Sequence, residues 1–510
     1  MYLTQGLHRA VQQQPDAVTT ICADRRRTFR EVAERVARLA GALQGLGVGP
    51  GDRVGILALN SDRYAEYLLA VPWANAVLNP VNIRWSPAEI AYSLADCDTR
   101  VLFVDDAFVA MVPDLPGLAT VIYLGDGETP DGMLSYEALI AGAQPVSDAC
   151  RGGDKLAGIF YTGGTTGFPK GVMLTHTNLA TSWLGSSATG CMPTKDSWAL
   201  HCAPMFHLAA LAVWGAALLA GGRHVYVPSF KPQLVFEAIA THGVTDVLVV
   251  PTMIQLLVDD PTIGDYDLTS LHAILYGASP IPAAVLERAM KALPGVTFTQ
   301  AYGLTETAPI VTLLTPTDHQ NGLLRSAGQA APHSELRIID ATGNQVPAAT
   351  IGEITVRGDH IMVGYWDKPA ETAAALHDGW LHTGDAGYLD DQGYLYVVDR
   401  LKDMIVTGGE NVYSAEVENA VARHPAVAQC AVIGVPDPDW GERVHAVVVP
   451  HPGEAPTLAE LRDHTKTLIA GYKAPRSLEL VEALPISGTG KVLKRDLRRP
   501  HWADEGRQVH

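Results

Sequence analysis

The chain has 510 residues, 47% hydrophobic and 18% charged. This balance excludes global disorder, and the length favours several structural units over one core. The formal charge of −18, from 37 basic and 55 acidic side chains with no long Lys/Arg block, excludes a nucleic-acid-binding stripe, so an anionic substrate must be held by local donors.

The opening MYLTQGLHRAVQQQPD has no basic region followed by an apolar core, so neither secretion nor organelle import is expected, and Met1 is read as the mature start. Thr28 and Glu31 form a capping box, after which Val32, Val36, Leu39 and Leu43 recur at helical spacing until Gly45 and Gly47. The strand-like RVGILAL follows. Ser86, Pro87 and Glu89 open a second helix that leads into RVLFVDD. The alternation continues through HVYVPS, TDVLVVP and HAILYG, which argues for parallel sheets covered by helices on both faces. Ala203 to Gly222 is uncharged and long enough to reach across a bilayer, but Pro204 and His207 at its start and its Ala/Gly content mark a buried helix of a large domain.

From about Ser326 to Arg400 the texture becomes ELRIID, GEITVRG and GYLYVVDR between Gly, Asn and Asp turns, a smaller and mostly β unit. After DRLKD the chain is α/β again, with VAQCAVIGVP and RVHAVVVP as strands and a helix opened by Thr457 and Glu460. Six cysteines (22, 97, 150, 191, 202 and 430) show no CxxC and no zinc spacing, and read as buried thiols in a reducing cytoplasm.

YTGGTTGFPKGVMLTH, from Tyr161 to His176, sets bare amides, threonine hydroxyls and Lys170 beside each other, and its natural guest is a phosphate chain. The Walker pattern fails because Pro169 precedes Lys170 and Gly171 follows it; GLGVGPG fails the dinucleotide fingerprint because Pro50 stands where the third glycine belongs.

This string resembles the signature of the adenylate-forming superfamily, which includes acyl-CoA synthetases, peptide-synthetase adenylation domains and beetle luciferases. QAYGLTE (300–306), LHTGDAGYLD (381–390), DRLKDMIVTGGENVYSAEVE (399–418) and PISGTGKVLK (485–494) follow in the family's order. The resemblance spans nearly the whole chain. It implies an α/β fold: a large N-terminal AMP-binding (adenylation) domain, 1–401, of two helix-covered sheets plus a small β-barrel-like unit, and a small mobile α+β C-terminal domain, 402–510. Most members resemble YTSGTTG where this chain has Gly163, a pair that is similar to some fatty-acyl ligases.

The implied chemistry is ATP-dependent capture of a carboxylate as an acyl adenylate, then transfer to CoA. By resemblance, Thr162, Gly163, Gly164, Thr165, Thr166, Gly167 and Lys170 bind the phosphates, Thr305 donates to the α-phosphate and Glu306 binds Mg2+. Tyr302, with Gly303 after it, stacks on adenine opposite Gly277, Ala278 and Ser279. Asp385 accepts from both ribose hydroxyls, and Arg400 approaches the same sugar or the phosphate. Lys491 bridges carboxylate and α-phosphate during adenylation, Lys402 is the hinge, and Gly408, Gly409, Glu410 and Trp440 serve the CoA tunnel. His207 resembles the family's gate between acyl pocket and thiol tunnel; a core histidine capping the helix behind it is the other reading. The acyl pocket is expected from parts of 206–213, 251–254, 276–279 and 301–304, without a cation for a second carboxylate.

The expected substrate is a hydrophobic monocarboxylate, a medium- or long-chain fatty acid before an aryl or cinnamate-type acid. Loading of a carrier protein, a luciferase-like oxygenase and a catalytically dead nucleotide-binding scaffold are the alternatives. Expected partners are ATP, CoA and the acid, in the cytoplasm, with no nucleic acid and no transmembrane span; a homodimer is allowed for.

Overall fold

The computed structural model describes residues 1–115, 117–163, 169–408, 410–486 and 492–502, and at 402 the backbone alone. Two large sheets carry the first part of the chain. One has nine strands, and its parallel centre runs Thr297–Tyr302, Ala273–Gly277, Asp246–Val249, Trp198–His201, Arg223–Tyr226 and Val18–Cys22. The other has eight strands, in the order Gly364–Tyr365, Lys170–Thr175, Leu156–Thr162, Val77–Pro80, Arg53–Leu57, Val101–Val104, Thr120–Tyr123 and Leu134–Ser135.

Between and around these sheets lie helices whose starts the side chains determine. Thr28 and Glu31 make the expected reciprocal capping box on Phe29–Gly45; Ser86 and Glu89 do so on Pro87–Asp96, and Thr457 and Glu460 on Leu458–Lys466. Helix Leu208–Ala220 is buried on nearly every face because it packs inside the protein, its Trp214 edge-on to Trp183 at 6.5 Å between ring centres. Its 13 residues reach only about 20 Å at 1.5 Å each. Among the described residues no helix is long and apolar enough to cross a membrane.

The smaller β unit is an antiparallel sheet of Glu335–Ile339, Gly352–Arg357, Trp380–Leu389 and Leu376–His377, with Leu395–Arg400 also paired to Trp380–Leu389. A fourth sheet takes all its strands from the remainder: Glu410–Val412, Ile405–Thr407, Gly441–Pro450, Val427–Asp437 and, parallel to Gly441–Pro450, Ser477–Leu480. Helices Ser414–Val421 and Leu458–Lys466 pack on it around Ile405, Val417, Val432, Val444 and Leu461. The fold is the expected one of two helix-covered sheets, a smaller β unit and a separate C-terminal domain.

The cysteines correct one expectation. Cys22, Cys97 and Cys202 are buried, but Cys191 and Cys430 are half-buried and Cys150 is exposed. Cys150 sits in a turn at φ +49, where its N–H donates to the Asp148 carboxylate, so it serves a surface bend and not the core.

Candidate active site

The residues singled out at 300–306 are brought to one wall by a strand end. Strand Thr297–Tyr302 runs into Gly303, Leu304 and the 3-10 turn Thr305–Thr307. A Cβ on Gly303 would lie 1.8 Å from the Pro309 carbonyl oxygen, so only glycine lets the chain double back there. The Thr307 hydroxyl locks the turn, accepting from the Leu304 N–H at 3.0 Å and donating to the Pro309 carbonyl at 2.8 Å. Strand Ala273–Gly277 pairs in parallel with Thr297–Tyr302, Gly277 opposite Ala301, so the turn through Ala278 and Ser279 emerges beside Tyr302.

Asp385 stands across the antiparallel ladder from Arg400. One of its carboxylate oxygens accepts from Arg400 Nε at 2.9 Å and the other from the Tyr302 hydroxyl at 2.8 Å. Burial and then the Asp385 carboxylate hold the Tyr302 phenol well above its usual pKa, so it stays a donor. Burial opposes the Arg400 charge, but Asp385 and Glu306 outweigh it and the guanidinium pKa is raised. A buried carboxylate is thus fixed in orientation by a phenol and a guanidinium.

Lys170 is the first residue of strand Lys170–Thr175, whose partner strand ends at Thr162, so the glycine-threonine segment joins two antiparallel strands. Its Gly164, Thr165, Thr166 and Gly167 lie outside the described residues. The two-residue strand Gly364–Tyr365 pairs with Lys170–Thr175, and this sets Lys170 Nζ 5.1 Å from the centre of the Tyr365 ring. The Tyr365 hydroxyl donates to Glu306 Oε1 at 2.9 Å. Burial, then Glu306, push its pKa up. Lys170 and Glu306 are therefore gathered on one aromatic ring, which sequence reasoning missed; a two-residue strand carries no periodicity to mark it. Tyr365 takes one oxygen of Glu306, and the carboxylate is a hard anionic donor of the kind Mg2+ binds.

Thr162, Gly163, Gly277, Ala278, Ser279, Tyr302, Gly303, Thr305, Glu306, Asp385 and Arg400 all line one cleft of about 2720 Å³. Its apolar wall includes Phe206, Val250, Pro251, Tyr276, Ala301 and Ile310. Of the segments expected there, Met253 and Ile254 are instead core because helix Pro251–Asp259 packs that side inward, and 210–213 are core because helix Leu208–Ala220 is buried on nearly every face. The guanidinium-bearing Arg84 and Arg325 also line the cleft. His207 lines it too and at the same time caps helix Leu208–Ala220, its Nδ1 accepting from the Ala209 N–H at 3.2 Å.

The C-terminal domain also lines the cleft. Leu484, Ile486, Val492 and Leu493 line it on either side of 487–491; Lys491 itself lies outside the described residues, as does Gly409. Gly408, Glu410 and Trp440 are not among the lining residues. Gly408 and Trp440 are nonetheless together: the Gly408 N–H donates to the Trp440 carbonyl at 2.8 Å, and Arg476 lies over the indole at 4.2 Å. At Lys402 the backbone forms the 3-10 turn Leu401–Asp403 between the third and fourth sheets.

A second network missed from sequence sits at this join. Asp399 accepts from both the N–H and the hydroxyl of Ser414, at 2.5 and 2.6 Å, and Lys494 Nζ donates to the same hydroxyl at 2.5 Å while pairing with Glu418 at 2.7 Å.

The site joins a buried carboxylate held by a phenol and a guanidinium, a second carboxylate linked through a tyrosine to a lysine, and a cleft with an apolar wall. Among family models, residues 7–366 match that of the AMP-binding enzymes and residues 416–491 that of the AMP-binding enzyme C-terminal domain. The chain belongs to the AMP-binding enzymes of the adenylate-forming superfamily and is an ATP-dependent acid–thiol ligase of the AMP-forming, acyl-CoA synthetase class. It is 41% identical over 473 residues to a feruloyl-CoA synthase of Amycolatopsis sp, covering 92% of this chain and 93% of that one. A fatty acid–[acyl-carrier-protein] ligase, ScoC, of Streptomyces coeruleorubidus is 36% identical over 517 residues, covering 100% and 98%. Among solved structures, ATP-bound MatB from Rhodopseudomonas palustris superposes with a TM-score of 0.89 at 30% identity, covering 99% of each chain.

Proposed function

We propose that this ligase activates a hydrophobic monocarboxylic acid, a medium- or long-chain fatty acid ahead of an aryl acid, as its acyl adenylate and transfers it to CoA in the cytoplasm. The observation that carries the reading is the cleft, in which the Asp385–Tyr302–Arg400 clamp and Glu306 adjoin the apolar wall from Phe206 to Ile310, with Tyr365 and Lys170 outside the lining and joined to it through Glu306. The Gly163–Gly164 pair and the fatty-acid ligase that matches the whole chain favour an aliphatic acid. The feruloyl-CoA synthase at 41% identity favours an aryl-propenoic acid as the second reading.

In the first step a carboxylate oxygen attacks the α-phosphorus of ATP, the bond from that phosphorus to the bridging oxygen breaks, and pyrophosphate leaves. Two anions must meet, so the barrier is electrostatic and preorganised positive charge lowers it. Lys170 and the amides of the adjoining loop hold the outer phosphates, Thr305 donates to the α-phosphate, and Asp385 takes the ribose hydroxyls with Tyr302 beneath the base. Glu306 would hold Mg2+, which supplies neutralising charge to the phosphates when bound. Lys491 bridges the carboxylate and the α-phosphate; the cleft-lining residues on both sides of it support this assignment.

In the second step the CoA thiol loses its proton to solvent, its sulfur bonds to the acyl carbonyl carbon, the bond from that carbon to the phosphate oxygen breaks, and AMP leaves with its electron pair. Lys491 then stands in the thiol's way. Rotation at Lys402 removes it and brings in the face bearing Gly408, Gly409, Glu410 and Trp440. His207, held by its own helix cap, gates the passage between acyl pocket and thiol.

Pyrophosphate release with Mg-ATP over acetate, octanoate, palmitate, benzoate and ferulate, with thioester assayed on adding CoA or a phosphopantetheinyl carrier, tests the reading. Turnover with octanoate or palmitate above ferulate and thioester on CoA are expected. Ferulate alone would establish the second reading, thioester only on the carrier would replace CoA, and no pyrophosphate with any acid would overturn the mechanism.

A further inference from the structure

Among the described residues, one group of three carries ligand atoms close enough to share a metal ion: His445, Glu479 and His501, all within 4.8 Å of one another and all in the C-terminal domain. Three separate elements assemble it. His445 lies on strand Gly441–Pro450 directly beside Ser477 of the parallel strand Ser477–Leu480. Glu479, two residues beyond Ser477, faces the same side of the sheet. His501 comes from the last helix, Lys494–Trp502, whose end is fastened to the sheet by Trp502 Nε1 donating to the Gly434 carbonyl at 3.2 Å.

The histidine on the sheet is prepared as a ligand. Its Nδ1 is 2.7 Å from the Ser477 hydroxyl, and with the hydroxyl accepting from Nδ1–H the lone pair is left on Nε2. Nε2 is buried without a hydrogen-bond partner, in a side chain only 7% exposed, and it is aimed at Glu479 Oε2 3.7 Å away. His501 Nε2 lies 3.9 Å from that same oxygen. A buried ring nitrogen left unpaired is costly, and an ion among these three atoms would satisfy it.

We infer that His445, Glu479 and His501 form a binding site for a zinc-like divalent metal ion that ties the last helix to the C-terminal sheet. Tetrahedral zinc with bonds of about 2.0–2.2 Å sets its ligand atoms roughly 3.3–3.5 Å apart, so the group must close by a few tenths of an ångström to about one. Glu479 and His501, with side chains 50% and 31% exposed, have the freedom to make that movement while His445 stays fixed. Two imidazoles and one carboxylate select zinc, cobalt or nickel over magnesium. The fourth position is left to water, and the positive Arg443 near His445 moderates the affinity.

The test uses the full-length protein without a histidine tag, stripped with a chelator and titrated with Zn2+ against a chromophoric competitor. One equivalent bound at micromolar or tighter affinity is expected, with at least tenfold weakening in Glu479→Gln and in His501→Gln, whose side chains are surface-accessible and spare the fold. His445→Gln should remove the site, and Co2+ should give a low-coordinate visible spectrum in the wild type only. No tight equivalent in the wild type, or uptake equal in the wild type and both surface variants and so due to others among the 18 histidines, would overturn the assignment.

Discussion

Replacing Tyr365 with phenylalanine separates what its hydroxyl does from what its ring does. The hydroxyl donates to Glu306 Oε1 at 2.9 Å, while the ring carries Lys170 5.1 Å from its centre and is untouched by the change. A hydrogen bond to a charged partner contributes about 1.5–3 kcal/mol. At about 1.4 kcal/mol per tenfold, its loss should lower kcat/KM for Mg-ATP in acid-dependent pyrophosphate exchange by roughly 10- to 150-fold. Tyr365→Ala should lose a further factor of at least about two to five, the worth of a cation–π contact of about 0.5–1 kcal/mol or more when partly desolvated. Thiolysis of supplied acyl adenylate should be unchanged in Tyr365→Phe, since phosphate charge is no longer being managed. Wild-type exchange in this variant, or equal loss in both half-reactions, would refute the idea that the tyrosine positions Glu306 for adenylation.

Gly408→Ala places a methyl group 2.4 Å from the Trp440 ring at a residue with φ +62, so thioester formation should fall at least tenfold while pyrophosphate exchange persists; unimpaired thiolysis would separate this hairpin from the thiol step. Lys491→Ala should slow adenylation by roughly a hundredfold and spare thiolysis, whereas Lys402→Pro should do the reverse; rapid-quench assays of the two half-reactions distinguish them, and equal losses would remove both roles. Burial holds His176, His224 and His360 each at a pKa of about 3, while an unfolded histidine titrates near 6.5. The unfolded chain therefore binds more protons below pH 6.5, and stability is full above that pH and falls toward pH 3. Each ring costs on the order of 1 kcal/mol by pH 5.5 by linkage. Denaturant unfolding of the N-terminal sheets, followed by tryptophan fluorescence, should lose stability on the order of a few kcal/mol between pH 7.5 and 5.5 from these three rings; equal midpoints would show that they are already accessible to protons.

The sequence was most informative where local chemistry sets the structure. Thr28 with Glu31 and Ser86 with Glu89 start their helices because capping is decided within four residues, and the short, mostly apolar runs around 223–226, 246–249 and 273–277 become the parallel strands they suggest. Tyr302, Asp385 and Arg400 were legible only through motif resemblance, because they lie on different strands and meet through the approach of two sheets. Tyr365 was not legible at all: its place beside Lys170 and Glu306 comes from two ladder positions opposite Met173 and Val172. Cys150, Cys191 and Cys430 departed from the burial expected of a thiol because exposure follows the turn or strand edge that each occupies, not the residue type alone.

The exchange of faces proposed at Lys402 requires that the C-terminal domain not be welded to the rest, and the packing is compatible with it. The apolar clusters of the described residues divide cleanly, those containing Trp183, Tyr276, Leu94 and Ile159 on one side and those containing Val432 and Leu484 on the other. Among the described residues, the side-chain hydrogen bonds joining 1–401 to 402–510 are those of Ser414 with Asp399 and a 3.4 Å contact from Gln255 Nε2 to the Ala428 carbonyl. The proposed rotation would break few side-chain hydrogen bonds among the described residues, together a few kcal/mol, without dividing an apolar cluster. The charges are arranged for it as well. Lys494 and Glu418 lie on the same moving unit and keep each other in either orientation, while Asp399 retains the Arg400 N–H at 2.8 Å when Ser414 departs. Such a turn would leave the Lys494–Glu418 pair intact and Asp399 with one backbone donor, so its electrostatic cost falls on the Asp399–Ser414 contacts.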